Sequence, residues 1–154
     1  MTSDEGRVRQ LRVVLEVPDF DEAVAFFRDA LGLPESAAFA TGGEDRVAIL
    51  EAGRATLELA SPAHRRAIDA VEDVADGGTA AIRLAFEVDD AGATTARLVA
   101  AGARHVAGPV LTPWRSLNAR LDAPADQQIT VFEETQTPEE RTGGAGFATD
   151  ATRD

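Results

Sequence analysis

The stretch "RLAFEVDD" at residues 83–90 decides the fold, because the chain has already written nearly the same thing at residues 12–19 as "RVVLEVPD". An offset of 71 places Arg12 on Arg83, Glu16 on Glu87, Val17 on Val88 and Asp19 on Asp90. Each copy alternates apolar and polar residues as a half-buried strand does. Each ends on an aspartate suited to capping a helix. The helices follow as "DEAVAFFRDALG" and "DAGATTARLVAAG". Helical spacing predicts that Ala23, Val24, Phe27, Ala30 and Leu31 face the core in the first, and Ala93, Ala96, Leu98, Val99 and Ala100 or Ala101 in the second. Gly32 and Gly102 stand where left-handed terminators belong.

Three short strand candidates come after each helix: "SAAFA", "RVAILE" and "RATLELA", then "RHVAG", "SLNARLDA" and "QQITVFEE". Turn-rich text separates them. The reading is α+β: two βαβββ modules, about 8–60 and 80–134, forming curled mixed sheets around a cup. Neither half is large enough to bury its own sheet well, so both belong to one domain, 1–134. A linking helix joins them over 61–76, with Ser61 as cap, Pro62 at the first helical position and Gly77-Gly78 beyond. Residues 135–154 read as a polar, flexible tail with Phe147 as its natural anchor.

Composition narrows the function. The 154 residues are 44% hydrophobic, enough for a core. No apolar run approaches the roughly 18 residues of a membrane span, and "MTSDEGRVRQ" has no signal-peptide character. Absence of cysteine removes disulfides, thiolate metal sites and thiol nucleophiles. A formal charge of −12 disfavours nucleic acid and anionic membranes as partners. The expected location is the cytoplasm. No nucleophile triad or phosphate loop is present; "TGGED" lacks the lysine and spacing of one.

The ordered stretches "LEVPDFDEAVAFFRDALGL", "ATLELASP", "LAFEVDD", "GPVLTPW" and "DAPADQQITVFEE" together resemble the vicinal oxygen chelate superfamily. That family includes glyoxalase I, extradiol dioxygenases, methylmalonyl-CoA epimerase and bleomycin-resistance proteins. The resemblance implies a cup holding one divalent metal on four side chains: two histidines opening the first strand of each half and two glutamates on the last. The matching positions are Arg12, Glu58, Arg83 and Thr130. Arginine offers donors and no lone pair. Each guanidinium repels a cation by about 4 kcal/mol per unit charge at 4 Å and intermediate dielectric, and a divalent ion doubles that. His64 falls on the linking helix and His105 on a strand, neither placed to replace a ligand. The expectation is no metal and no cofactor.

Alternation assigns Arg12, Val14, Glu16, Arg83, Ala85, Glu87, Thr56, Glu58, Ala60, Gln128, Thr130 and Phe132 to the cup. Val13, Leu15, Val17, Leu57, Leu59, Ile82, Leu84, Phe86, Val88, Ile129 and Val131 go to the core. Phe39 and Trp114, the latter on the loop "TPWRS", are candidates to flank a planar ligand; Trp114 equally suits a sheet-end plug or a dimer contact. The arginines anchor a ligand or balance Glu16, Glu58 and Glu87. The favoured expectation is a metal-free protein that sequesters a small organic ligand, an antibiotic or other bulky aromatic natural product, as a homodimer. Two alternatives stand beside it. One is a lyase, epimerase or dioxygenase with an atypical metal site, or with Glu58 or Glu16 as a metal-independent base. The other is a regulatory protein whose cup is filled by its own arginine–glutamate pairs.

Overall fold

Helix α1 begins at Phe20 because Asp19 caps it: its Oδ1 accepts the Glu22 backbone N–H at 3.0 Å. The computed structural model describes residues 10, 12–42, 44–56, 58, 60–78, 80–137 and 139–140. After Val24, α1 widens into a π-helical stretch, Ala25–Ala30. This places the adjacent Phe26 and Phe27 both in the core, edge to face with centroids 5.1 Å apart. A hairpin follows, β1 (Glu35–Gly42) antiparallel to β2 (Asp45–Leu50). Arg46 of β2 ties it to α1, pairing with Asp21 at 2.9 Å and lying over the Phe20 ring at 4.5 Å. Helix α2 (Pro62–Val71) starts on the Ser61 cap, whose side chain accepts from His64 N. It stops before the expected glycine pair, with Asp73 at φ 59 ending it. Arg65 donates to the carbonyls of Gly77 and Gly78 instead.

The second module is complete. Strand β3 (Leu84–Glu87), helix α3 (Ala91–Ala100) and strands β4 (Arg104–Leu111), β5 (Ser116–Ala123) and β6 (Gln127–Glu134) follow in order. The sheet order is β3-β6-β5-β4, with β3 parallel to β6 and the other pairs antiparallel. Asp90 caps α3 as Asp19 caps α1. Alternation works as read: Ile129 and Val131 are fully buried, and Leu84, Phe86 and Val88 pack against the core. Ala119, Leu121 and Ala123 of β5 join them, covered by Leu98 of α3 and Ala23, Phe26 and Phe27 of α1. The architecture of the described residues is α+β, two sheets with no closed barrel, and α1 and α3 cover the core face of the larger sheet.

Three details differ from the sequence expectation. In α3 the buried residues are Ala91, Thr94, Thr95 and Leu98, while Ala93, Ala96, Val99, Ala100 and Ala101 are exposed. Both threonines turn inward, and the Thr95 hydroxyl is satisfied by donating to the Ala91 carbonyl at 2.6 Å. Residues 12–17 carry no strand; Leu15 and Val17 reach the core, but Val13 is exposed, as is Ile82 before β3. No strand forms over the described residues of 51–60 either. Leu57, Leu59 and the tail from 141 on, Phe147 included, lie outside the described residues.

Candidate functional site

On β5 the side chains that do not enter the core are Ser116, Asn118, Arg120 and Asp122. On β6 they are Gln128, Thr130 and Phe132. Cross-strand pairing sets Arg120 beside Thr130 and Asn118 beside Phe132, while β3 brings Ala85 to the other flank of Thr130. Thr130 is 2% exposed and Arg120 1%. A buried charge requires partners, and Arg120 has several. Its Nη2 donates to Glu72 Oε2 at 2.8 Å, and its Nη1 to Asp69 Oδ1 at 3.0 Å and Gln128 Oε1 at 2.8 Å. Its Nε, also buried, has no partner among the described residues. Glu72, 1% exposed, also accepts from Asn118 Nδ2 at 3.1 Å. Ser116 Oγ donates to Asn118 Oδ1 at 2.7 Å, and Thr112 Oγ1 lies 3.1 Å from Ser116 Oγ. The end of α2 therefore sits over this face of the sheet, held there by a polar clamp.

Arg83, at the entrance to β3, reaches across to the same face, and its Nη1 donates to Thr130 Oγ1. Burial and the neighbouring Arg120 guanidinium pull its pKa below the ordinary arginine value, while Glu72, Asp69 and Glu58 act to restore it. Arg83 and Thr130 are thus joined on this face, with Ala85 and Phe132 in the adjoining register positions, while Glu58 is exposed.

The other expected lining residues are not gathered with them. Arg12, Val14 and Glu16 are exposed, Val14 by 88%. Arg12 donates from Nε to Gln10 at 3.2 Å. Strand alternation gave these three a face, but no strand forms at 12–17 to present it. Phe39 is exposed on β1. Trp114 is exposed on the β4–β5 turn, which closes through Thr112 N to Ser116 O at 2.8 Å and Arg115 N to Thr112 O at 2.9 Å. Two shallow hollows on the described surface lie elsewhere, one between Pro18 and Pro124 and one between Val88 and Glu133. Sequence reasoning missed Ser116, Asn118, Arg120 and Glu72. For the first three the signal was present, since "SLNARLDA" alternates as cleanly as "QQITVF".

A model of the Glyoxalase/Bleomycin resistance protein/Dioxygenase superfamily matches residues 9–150. The chain belongs to this superfamily. Solved structures of related shape include a hypothetical protein from S. aureus, at 13% identity and TM-score 0.51, covering 83% of this chain and 95% of that one. A glyoxalase-related enzyme from Fulvimarina pelagi gives 17% and 0.49, covering 82% and 89%. Lactoylglutathione lyase from Agrobacterium tumefaciens gives 20% and 0.43, covering 79% and 92%. The likeness is one of fold. No curated protein matches the chain.

The metal that the superfamily resemblance implies does not fit the residues present. Of the four matched positions, Arg12 and Arg83 can only donate, and the Thr130 hydroxyl is engaged by Arg83. Glu58 remains as the single anionic donor among them. His105 is held by its own strand, with Nε2 2.7 Å from the Gly108 carbonyl. Among the described residues, no three His, Cys, Asp or Glu side chains converge as a metal group.

Proposed function

We propose that this member of the superfamily is a metal-independent binding protein. It takes up a bulky organic molecule, an antibiotic or another aromatic natural product, and protects the cell by keeping the free concentration low. The reading rests on one observation: a guanidinium, that of Arg83, bonds the Thr130 hydroxyl at the two second-half positions matched to metal ligands. That exchange converts a Lewis-acid position into a hydrogen-bond donor, which can orient a ligand and cannot activate one as a metal does. Among the described residues no helix is long and apolar enough to cross a membrane, and we place the protein in the cytoplasm. The working unit of the proposal is a homodimer, with the second copy covering apolar surface that one chain leaves exposed.

Isothermal titration against planar aromatic and glycopeptide antibiotics, with chelator present throughout, tests the reading. Low-micromolar or tighter binding of one of them, unchanged by chelator, is the expected result. Binding no tighter than high micromolar across the panel, or a stoichiometric divalent ion in protein purified without chelator, overturns it.

A further inference from the structure

The Arg120 guanidinium is used incompletely. Its Nη1 is shared between Asp69 and Gln128, but the Nε–Nη2 edge, which matches a carboxylate side-on, holds only one oxygen of Glu72. The second oxygen of Glu72 turns away to Asn118, and Nε is left buried without a partner among the described residues. An orphaned N–H on a buried charged group is costly. Glu72 is also a visitor to the sheet. It arrives from the turn after α2, not from a neighbouring strand, and is followed by Asp73 in the left-handed region at φ 59. Within α2 itself no residue is buried. Val74, two residues after Glu72, is buried. The polar contacts from α2 and its end to the sheet face, among the described residues, are the ion pairs of Asp69 and Glu72 with Arg120 and the Asn118 bond.

We propose that Glu72 is an internal stand-in for the carboxylate of the ligand: an aromatic molecule bearing a carboxylate displaces the α2 turn and binds side-on across Nε and Nη2 of Arg120. This deepens the binding reading above and rests on it. Gln128, on β6, keeps Arg120 aimed after the end of α2 leaves with Asp69 and Glu72. Arg83, on the same face through Thr130, supplies a second donor to the incoming anion. The aromatic body lies along Phe132 and Ala85, the register neighbours of this pair. Affinity for the anion is reduced by the fraction of time the turn is docked, so weakening the dock tightens binding.

Fluorescence titration with anthracene-2-carboxylate and the neutral, isosteric anthracene-2-carboxamide tests this. The acid is expected to bind the wild-type protein about tenfold tighter than the amide. Glu72→Gln is expected to tighten the acid by about a further tenfold, with the acid keeping its advantage over the amide. Arg83→Gln weakens the acid selectively. Equal binding of acid and amide in wild type and Glu72→Gln overturns the stand-in and leaves the organic-binding reading intact; no binding of either probe to any variant sinks both. Should Glu72→Gln not fold, hydrogen exchange on the wild-type protein decides. Saturating acid is expected to speed exchange of the α2 amides while β5 and β6 stay protected, and unchanged or slower exchange in α2 overturns the inference.

Discussion

Arg120 carries a positive charge to a place almost closed to water, and the strength of its pairing follows from what removal of one partner leaves behind. Replacing Arg120 by Met strands Glu72, itself 1% exposed, as an uncompensated buried carboxylate beside Asp69. The expected cost is about 3–5 kcal/mol in urea unfolding. Adding Glu72→Gln in the Arg120→Met background recovers part of it, because the stranded charge is gone. The double-mutant cycle is expected to show coupling on the order of 1–3 kcal/mol; additive losses would mean that the two groups do not hold each other. Arg83 and Thr130 are readable in the chain because alternation over two clean strands sends both to one face. Arg120 and Asn118 obey the same rule on β5 and were accessible to it. Glu72 was not: it follows a helix whose described residues are none of them buried, and no local period announces that the end of a helix docks on a distant strand.

Elements are legible to the degree that their signal is local. Both N-caps, both glycine terminators and the strands of the second module follow from residue type and spacing. The inward face of α3 does not, since two threonines occupy it and exposed alanines surround it. The strand expected at 12–17 fails for a related reason: alternation tells which way side chains point, not whether a neighbour arrives to complete a ladder. Close approach between β4 and β5 is a tertiary fact with a local trace in Gly108. It sits at φ +87, and a Cβ there would stand 2.4 Å from the Asn118 carbonyl oxygen and 3.0 Å from Ala119 Cα. Gly108→Ala is therefore expected to destabilise by about 2 kcal/mol, from backbone strain and displacement of β5 together. The matching change at Gly92 in α3 meets only Asp90 Oδ1 at 3.6 Å, an ordinary contact. Gly92→Ala is expected to stabilise by about 0.5–1 kcal/mol. Thermal or urea unfolding of the pair checks the opposite signs, and equal effects would show that β4 and β5 are not in close contact at Gly108.

At the scale of the molecule, one chain leaves an unusual share of its apolar residues in water. Val13, Val14, Phe39, Val47, Ile82, Leu111 and Trp114 are all exposed, Val14 by 88% and Ile82 by 62%. Scattered exposure needs no explanation, but Val13, Val14 and Ile82 flank the two arginines of the repeat, and among the described residues β3 stands at the edge of its sheet with one side unpaired. In the homodimer proposed above, the second copy covers these residues with its own Val13, Val14 and Ile82. Light scattering at micromolar concentration is expected to give twice the 16.2 kDa of one chain. Combined Val14→Arg and Ile82→Arg substitutions are expected to shift it to monomer. The net charge supplies a sharper check. Two chains of −12 repel at long range, while apolar contact is indifferent to screening. Raising ionic strength to physiological values shortens the screening length to about 8 Å and is expected to tighten the dimer. Association that weakens with salt would point to ion pairs across the interface instead, and a wild-type monomer at every concentration would remove the interface altogether.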